Sequence, residues 1–480
     1  MKYLLFVLFF IFNIPLISHA QIWDSVFTSV HTEYVSDLVE VSANKCIVVG
    51  YNVSANNQFG GRLILVDSNG YVEKDTCYYE NNTSILFDNV LILNNRIIII
   101  GTKTKLSNIN ICTDSVIIKI FDFNFNELDE FTYFFSDTLM QSYIVSSVDH
   151  NNNILIAGYG DNPNLVRRPF LWKLDTSFNL VAKNDTMYYS WLSTFESAIE
   201  VERDSSYYVF AMGMSQDYAN MIIRFDYNLN YISMDSTKHD LSLPYHPIMY
   251  RRNEIMHVGK NYAHYSNVFD YGIIVLDSVF NTKWFKQYRT TDTNQVPAVL
   301  KSISKNDNNV YIGAIYNSDY YYSNDTTWYQ LTKMDTNYNI IWEKRFLGYS
   351  NDMLTNVLAT SDGGCLLAGW INFGAQVYNI HLVKIDKYGT ATWVKDIKRP
   401  RVEINLFPNP TSQYINLQMQ VKGQKIRIYN IFDMEGRRLL SKQINSIKTR
   451  IDLSSLSNGV YIIEGYSTKG GYFWRKFLKN

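Results

Sequence analysis

The sequence predicts an all-β chain: a seven-bladed β-propeller followed by a small β-sandwich. Three observations carry that prediction. Two kinds of marker residue recur seven times within residues 37–397, the segments between them are short apolar strands, and the period stops before residue 402. Composition agrees. The 480 residues exceed one ordinary core, and 46% apolar with 19% charged residues is globular rather than disordered.

The first marker is an Asp closing an apolar strand, at Asp67, Asp122, Asp175, Asp226, Asp277, Asp335 and Asp386. The intervals are 55, 53, 51, 51, 58 and 51 residues. The second is a Gly ending an earlier apolar strand: Gly50, Gly101, Gly158, Gly213, Gly259, Gly313 and Gly369. Five units read Asp-x-x-x-Asn, to Asn126, Asn179, Asn230, Asn281 and Asn339; the outer two read Asp-x-x-Gly, to Gly70 and Gly389. Asp bonds its own backbone in a turn, and Asn or Gly is expected to take the left-handed position that ends it.

Each unit has room for about four strands. In the first they read Asp37–Val41, Cys46–Val49, Arg62–Val66 and Tyr71–Tyr79. Ile97–Ile100, Ile154–Ala157 and Cys365–Ala368 are almost wholly apolar, so both faces should be buried. Small sheets stacked face to face around an axis meet that demand, and four-stranded repeats of this length are propeller blades. The last units resemble a family of bacterial secreted propellers. Its blade runs as an apolar strand to Gly, then Lys-x-Asp-x-x-Gly, then Trp, as in Ser361–Gly369 and Lys384 to Trp393. Units 5 to 7 have that Trp, as Trp284, Trp342 and Trp393, for which a core role is expected; units 1 to 4 lack it.

Met1–Ala20 reads as a signal peptide, with Lys2, the apolar run Leu4–Leu16, and Ser18-His19-Ala20 before the cut. Gln21, not Cys, follows, which argues against a lipid anchor, and no other stretch is long enough to span a membrane. Residues 21–36 hold a strand-like segment, Ile22–Phe27, that either closes the ring or caps its outside. Cys46, Cys77, Cys112 and Cys365 have no framework spacing and read as small buried hydrophobes. Lys398–Arg401 is a basic linker containing Pro400.

Residues 402–480 form the second domain. Ile404–Pro410 contains Pro408-Asn409-Pro410; Ile426–Asn430, Gly436-Arg437, Ile451–Ser454, Asn458-Gly459-Val460-Tyr461 and Arg475–Lys479 follow. These motifs, in this order, resemble the type A C-terminal sorting domain of the type IX secretion system of Bacteroidota. The resemblance implies recognition by the type IX machinery, with Pro408, Asn409, Pro410, Gly436, Gly459 and Tyr461 as the sorting motif. Alternating strands with Pro-Asn-Pro and Asn-Gly turns read independently as a small β-sandwich.

Chemistry is scarce. The net charge of -1 suggests no nucleic-acid or anionic-membrane partner. There is no G-x-S-x-G, HExxH or phosphate-binding Gly loop, so no catalytic residue is assigned. No cofactor is expected. His246, His257 and His264 match no metal-ligand spacing, and Asp122, Asp226 and Asp335 open Asp-x-Asn-x-Asn runs that lack the Gly and Glu of a calcium loop, so no metal site is expected. From blade Gly to blade Asp the units span 17, 21, 17, 13, 18, 22 and 17 residues. Units 2 and 6 are therefore expected to carry the long loops, all on one rim. The unit 6 segment holds Tyr316, Tyr320, Tyr321, Tyr322 and Trp328, a candidate site for a glycan or protein ligand. The expected function is an exported surface or secreted binding protein of adhesion type. The alternative is a propeller enzyme acting on polysaccharide through paired carboxylates at the axis.

Overall fold

A computed structural model describes residues 23–390 and 402–480, apart from 28–31, 43–44, 55–57, 107–110, 140–141, 162–166, 186–191, 202–204, 214–219, 237–241, 252–253, 263–268, 278, 289–294, 298, 301–303, 305–306, 317–325, 351, 373–377, 433–437 and 468–471. The signal-peptide segment, Lys398–Arg401 and Trp393 lie outside the described residues.

Among the described residues, 23–385 form seven sheets, antiparallel except that Val299–Leu300 pairs parallel with Asp352–Ala359 at the edge of the seventh. The first is Thr32–Ser42, Lys45–Val53, Phe59–Val66 and Val72–Tyr78, paired in that order. Five more repeat the plan. The seventh contributes Asp352–Ala359, Cys365–Asn372 and Tyr378–Ile385, and its fourth place is taken by Trp23–Phe27 from the other end of the chain. The first strands touch in turn around the cycle: between the fifth and seventh sheets the link is Val299–Leu300, which touches Ser242–Arg251 and pairs with Asp352–Ala359, and the first strand of the seventh sheet touches that of the first. The sheets therefore run in a cycle around the first strands, which is a β-propeller.

The apolar strands explain the stacking. Ile97 and Ile99 face the first sheet, with Ile47, Val49, Leu63 and Leu65. Ile98 and Ile100 face the third, with Ile154, Ile156 and Trp172. Such a strand has no polar side to show to water, so a sheet on each flank is what buries it. Seven apolar clusters separate the seven sheets, the last joining Leu366, Ala368 and Leu382 to Val35, Cys46 and Val48. Polar bonds close the same seam: Asn356 Nδ2 donates to the Ser36 carbonyl at 2.9 Å, and the Ser361 N–H donates to Glu40 at 2.8 Å.

The Gly markers do not end their strands; Gly50 lies inside Lys45–Val53 and Gly369 inside Cys365–Asn372. Their cause is close approach. A Cβ on either would lie 1.9 Å from the carbonyl oxygen of Tyr34 or Met353, where the first strand bulges past it.

The Asp turns also differ from expectation. In all seven, the Asp N–H donates to the carbonyl four residues on, at 2.9–3.3 Å. The carboxylate accepts from the N–H groups two and four residues on, at 2.7–2.9 Å. The left-handed residue is always the third after Asp. That is Gly70 and Gly389 as expected, but in the other five it is Phe125, Phe178, Leu229, Phe280 and Tyr338, with φ of 62° to 67°, not the Asn. The Asn instead donates its side-chain amide to the same carboxylate, at 2.8–3.2 Å. A left-handed non-Gly residue costs about 1–2 kcal/mol. Burying a Phe or Leu returns about 1.5–3 kcal/mol, and Phe125, Phe178 and Leu229 are buried.

What buries these turns is the preceding sheet. Phe131 stacks on Phe178 at 5.2 Å, and Trp284 stacks on Tyr338 at 5.7 Å. Lys74 donates to the Asn124 carbonyl at 2.7 Å and lies 5.0 Å from the Phe125 ring centroid. Trp342 Nε1 donates to the Lys387 carbonyl at 3.2 Å beside Gly389. Trp284 and Trp342 are therefore half-buried: each packs against the core between two sheets and also clasps a neighbour's turn. Trp23 makes the same clasp at the seam: it pairs with Lys384 as Trp342 pairs with Lys333, and its Nε1 donates to the Ser68 carbonyl at 3.0 Å. The N-terminal strand thus supplies the outer-strand Trp of the seventh sheet.

Residues 402–480 form a two-sheet sandwich. One sheet is Ile404–Phe407, Tyr414–Met419 and Lys448–Asp452; the other is Arg438–Ser446, Ile426–Phe432, Gly459–Ser467 and Tyr472–Lys479. Ile415, Leu417, Ile431, Ile463 and Phe473 fill the space between them.

Two outcomes follow. Trp23→Ala should cost about 3–5 kcal/mol in urea unfolding, as for other buried Trp truncations, because it opens the seam; a loss below about 1 kcal/mol would show the strand to be an outer cap. The second outcome concerns acid. The Asn126 backbone N–H chiefly holds Asp122 below the usual carboxylate range, and the Asn179 side chain does so for Asp175. At Asp226 and Asp277 partial burial pushes upward, and the bonds from Asn230 and Asn281 outweigh it. A carboxylate depressed on folding stabilises fully above its unfolded pKa of about 3.9 and loses that contribution as pH falls through the folded value. Stability should thus fall below about pH 5, and less steeply when these four Asp are replaced by Asn; an unchanged pH slope would sink the assignment.

Candidate functional site

The register places the two kinds of connection on opposite rims. Asp turns lie at one rim; the loops joining second to third strands lie at the other, together with the links between sheets. The Asp rim is tied down by the clasps described above. The Lys-x-Asp pattern serves it too: Lys384 is buried and pairs with Asp362 at 2.8 Å, and Lys333 pairs with Asp307 at 3.0 Å. Burial pushes the Asp362 carboxyl up, and the Lys384 ammonium outweighs it, so its pKa is lowered.

The loop rim holds the candidate aromatic residues. Unit 2 does not carry a long loop: its extra residues extend the strands Arg96–Leu106 and Ile111–Phe121, leaving 107–110 between them. In unit 6 the residues between Val310–Tyr316 and Thr326–Met334, Tyr320, Tyr321 and Tyr322 among them, lie outside the described residues. Tyr316 and Trp328 face each other across the strand ends that lead into that segment. Both are half-buried, and the Arg345 guanidinium sits 3.5 Å from the Tyr316 ring centroid.

A larger aromatic group on this rim was missed. Tyr34, Tyr51, Phe59, Trp370 and Tyr378 form a contiguous set across the seventh and first sheets, each partly exposed. A signal was present: Tyr51 and Trp370 each follow a blade Gly by one residue.

In the C-terminal domain the residues expected to form the sorting motif gather, where they are described, at the last strand. The Leu478 N–H donates to Asn409 Oδ1 at 2.9 Å, and Asn409 Nδ2 donates to the Lys476 carbonyl at 3.1 Å. Pro408 and Pro410 flank it, both after cis peptide bonds. Gly459 pairs with Lys479, and Tyr461 stacks on Phe477 at 5.6 Å while its hydroxyl donates to the Ser457 carbonyl at 2.8 Å. A Cβ on Gly459 would meet only ordinary contacts, so packing does not demand Gly there. Gly436 lies outside the described residues. On the outer face of the smaller sheet, Arg450 covers Tyr414 at 3.3 Å and Lys448 lies 5.1 Å from the Phe407 centroid.

Charge divides with the domains. Residues 402–480 hold twelve Lys and Arg against five Asp and Glu, a surplus of seven positive charges. With the whole chain at -1, the first 401 residues carry eight surplus negative charges.

Cys46 and Cys365 are buried, and burial pushes both thiols up to about 12, which keeps them unreactive. Cys77 is exposed on an outer strand, contrary to the expected burial, and all three are unpaired; the Cys112 side chain lies outside the described residues. Among the described residues no three His, Cys, Asp or Glu side chains gather as metal ligands, and no helix is long and apolar enough to cross a membrane.

No curated protein matches the chain. Solved structures similar to it include the acylaminoacyl peptidase of Pyrococcus horikoshii, at 12% identity and TM-score 0.40 over 82% of this chain. This chain covers 59% of that enzyme's length. The β-propeller domain of the Trilobed protease from Pyrococcus furiosus is similar at 11% identity and TM-score 0.43, over 76% of this chain and 98% of that one. The polysaccharide lyase Uly1 is similar at 10% and 0.41, over 77% and 98%. Residues 405–480 match the family described as the secretion system C-terminal sorting domain. The chain is an all-β propeller protein that ends in a type IX sorting domain, which directs it out of the cell, to the surface or the medium.

Proposed function

We propose that the propeller is an adhesion-type binding module, that its ligand is a glycan or protein, and that the ligand is met on the loop rim. The contrast between the rims carries this reading. On one, every Asp turn is hydrogen-bonded internally and covered by the preceding sheet. The other gathers the second-to-third-strand loops and the partly exposed rings of Tyr316, Trp328, Tyr34, Tyr51, Trp370 and Tyr378. A rigid ring presenting loops and half-exposed aromatic rings is suited to recognition.

The proposed route has two addresses. Met1–Ala20 takes the chain across the inner membrane and is removed before Gln21. Residues 402–480 then engage the type IX machinery. Beyond Arg401 this domain has its own core, so it folds apart from the propeller.

A glycan array and a surface-protein pull-down with the purified mature chain identify the ligand. Replacing Tyr321 and Trp328 by Ala should weaken it by about 1–3 kcal/mol without changing the melting temperature. Unfolding of that variant would make the pair core residues. Depolymerisation of an array polysaccharide by the wild-type chain would replace binding by catalysis.

Deleting 402–480 should leave a folded propeller in the periplasm of a host with the type IX system. Surface or medium levels equal to those of the full chain would make the sandwich a second binding module instead.

A further inference from the structure

We propose that Tyr34, Tyr51, Trp370 and Tyr378, with Asp88 beside them, form a binding site for a small organic cation of the alkylammonium class. The site lies where the seventh sheet meets the first, and it rests on the loop rim being the ligand face.

The rings come from four strands of two sheets. Tyr34 lies 4.9 Å from Tyr51, 5.6 Å from Tyr378 and 6.0 Å from Trp370, and Trp370 lies 4.4 Å from Tyr378. Tyr34 and Trp370 meet edge to face at 83°, and Trp370 and Tyr378 at 69°. Rings set at such angles turn faces in several directions, and all four remain partly exposed. Their π faces are negative and attract cations, most strongly where water is partly excluded.

Asp88 is the second observation. It occupies the bulge in the first strand of the second sheet, between Phe87 and Asn89. The equivalent bulge residues in the first, fourth and seventh sheets are Ser36, Glu196 and Thr355, so the bulge takes a neutral residue as well as a carboxylate. Its Oδ2 is shielded from solvent and accepts no hydrogen bond within the protein; the Thr102 side chain bonds the carboxyl. Among the described residues no Lys, Arg or His pairs with it. Burial pushes this carboxyl well above the usual range, and its charge is felt at the Tyr51 hydroxyl, which burial chiefly raises. A buried carboxyl without a counter-charge is driven toward its neutral form, and a bound cation would restore its ionised form.

The choice of a cation over a neutral sugar follows from the same facts. A sugar would stack on the rings but leave Asp88 without a counter-charge. The eight surplus negative charges of residues 1–401 add a long-range field that draws cations toward the propeller.

Calorimetric titration of the mature full chain with choline tests this, beside 3,3-dimethylbutan-1-ol, its uncharged carbon analogue, and lactose as a neutral sugar. Choline should bind at one site, and the uncharged analogue should bind roughly tenfold more weakly or not at all. Asp88→Asn and Trp370→Ala should each weaken choline by roughly tenfold. Tyr388→Ala, on the opposite rim, should leave it unchanged. Thermal unfolding checks each variant, and Trp370→Phe, which keeps a ring, should retain most of the affinity if Trp370→Ala fails to fold. No choline binding, equal binding of the uncharged analogue, or full affinity in Asp88→Asn overturns the cation assignment. Lactose binding lost in Trp370→Ala, with choline inert, would overturn it while leaving the loop rim as the ligand face.

Discussion

The structure depends on a carboxylate that closes a turn and a left-handed residue that plugs it into the sheet before. Asp at the end of the third strand gathers two backbone N–H groups onto one oxygen, and in five units the Asn amide onto the other. That fixes the hairpin without help from a distant partner. The third residue is then forced to positive φ, and five times in seven it is a large apolar residue. The strain is tolerated because the ring or branch is driven into the neighbouring sheet, where burial outweighs it. A local device for reversing the chain thus also joins one sheet to the next.

The division of the rims follows from this. The turn rim is occupied with holding the ring together, by Trp23, Lys74, Phe131, Trp284 and Trp342 in turn. The opposite rim, where second strands lead into third strands, carries none of these clasps among the described residues. The seam is the place where the cycle is closed by chain ends rather than by continuity. There Trp23–Phe27 completes the last sheet, His381 Nε2 meets Asp24 at 2.9 Å, and the group of Tyr34, Tyr51, Trp370 and Tyr378 spans the join.

Much of this was legible in the sequence. The Asp and Gly markers are tied to backbone geometry, so they recur with the fold and can be counted. The apolar strands Ile97–Ile100 and Cys365–Ala368 announced sheets on both flanks, because nothing else buries such a strand twice over. The left-handed position was misplaced by one residue, since propensity favours Asn and only tertiary burial makes Phe178 acceptable there. Trp393 was read as the outer-strand aromatic of the last unit because it sits at the right spacing. Trp23, distant by the whole length of the propeller, fills that role, and spacing along the chain cannot reveal a strand supplied by its other end. The extra length of unit 2 was read as loop because strand extension and loop insertion look alike in a count. Tyr34, Tyr51, Trp370 and Tyr378 come together only across the seam, and the bulge that places Asp88 beside them leaves no composition signal.

The central claim is that the sheets form one closed ring held by their turns. Hydrogen exchange of the mature chain, followed by mass spectrometry on peptides covering the seven Asp turns, tests it most directly. A closed ring has no ends to fray, so the turns at Asp67 and Asp386 should be as slow to exchange as those at Asp175 and Asp226. An open stack loosens from its termini. Protection that falls away toward Asp67 and Asp386, while the middle turns stay slow, would contradict closure by Trp23–Phe27.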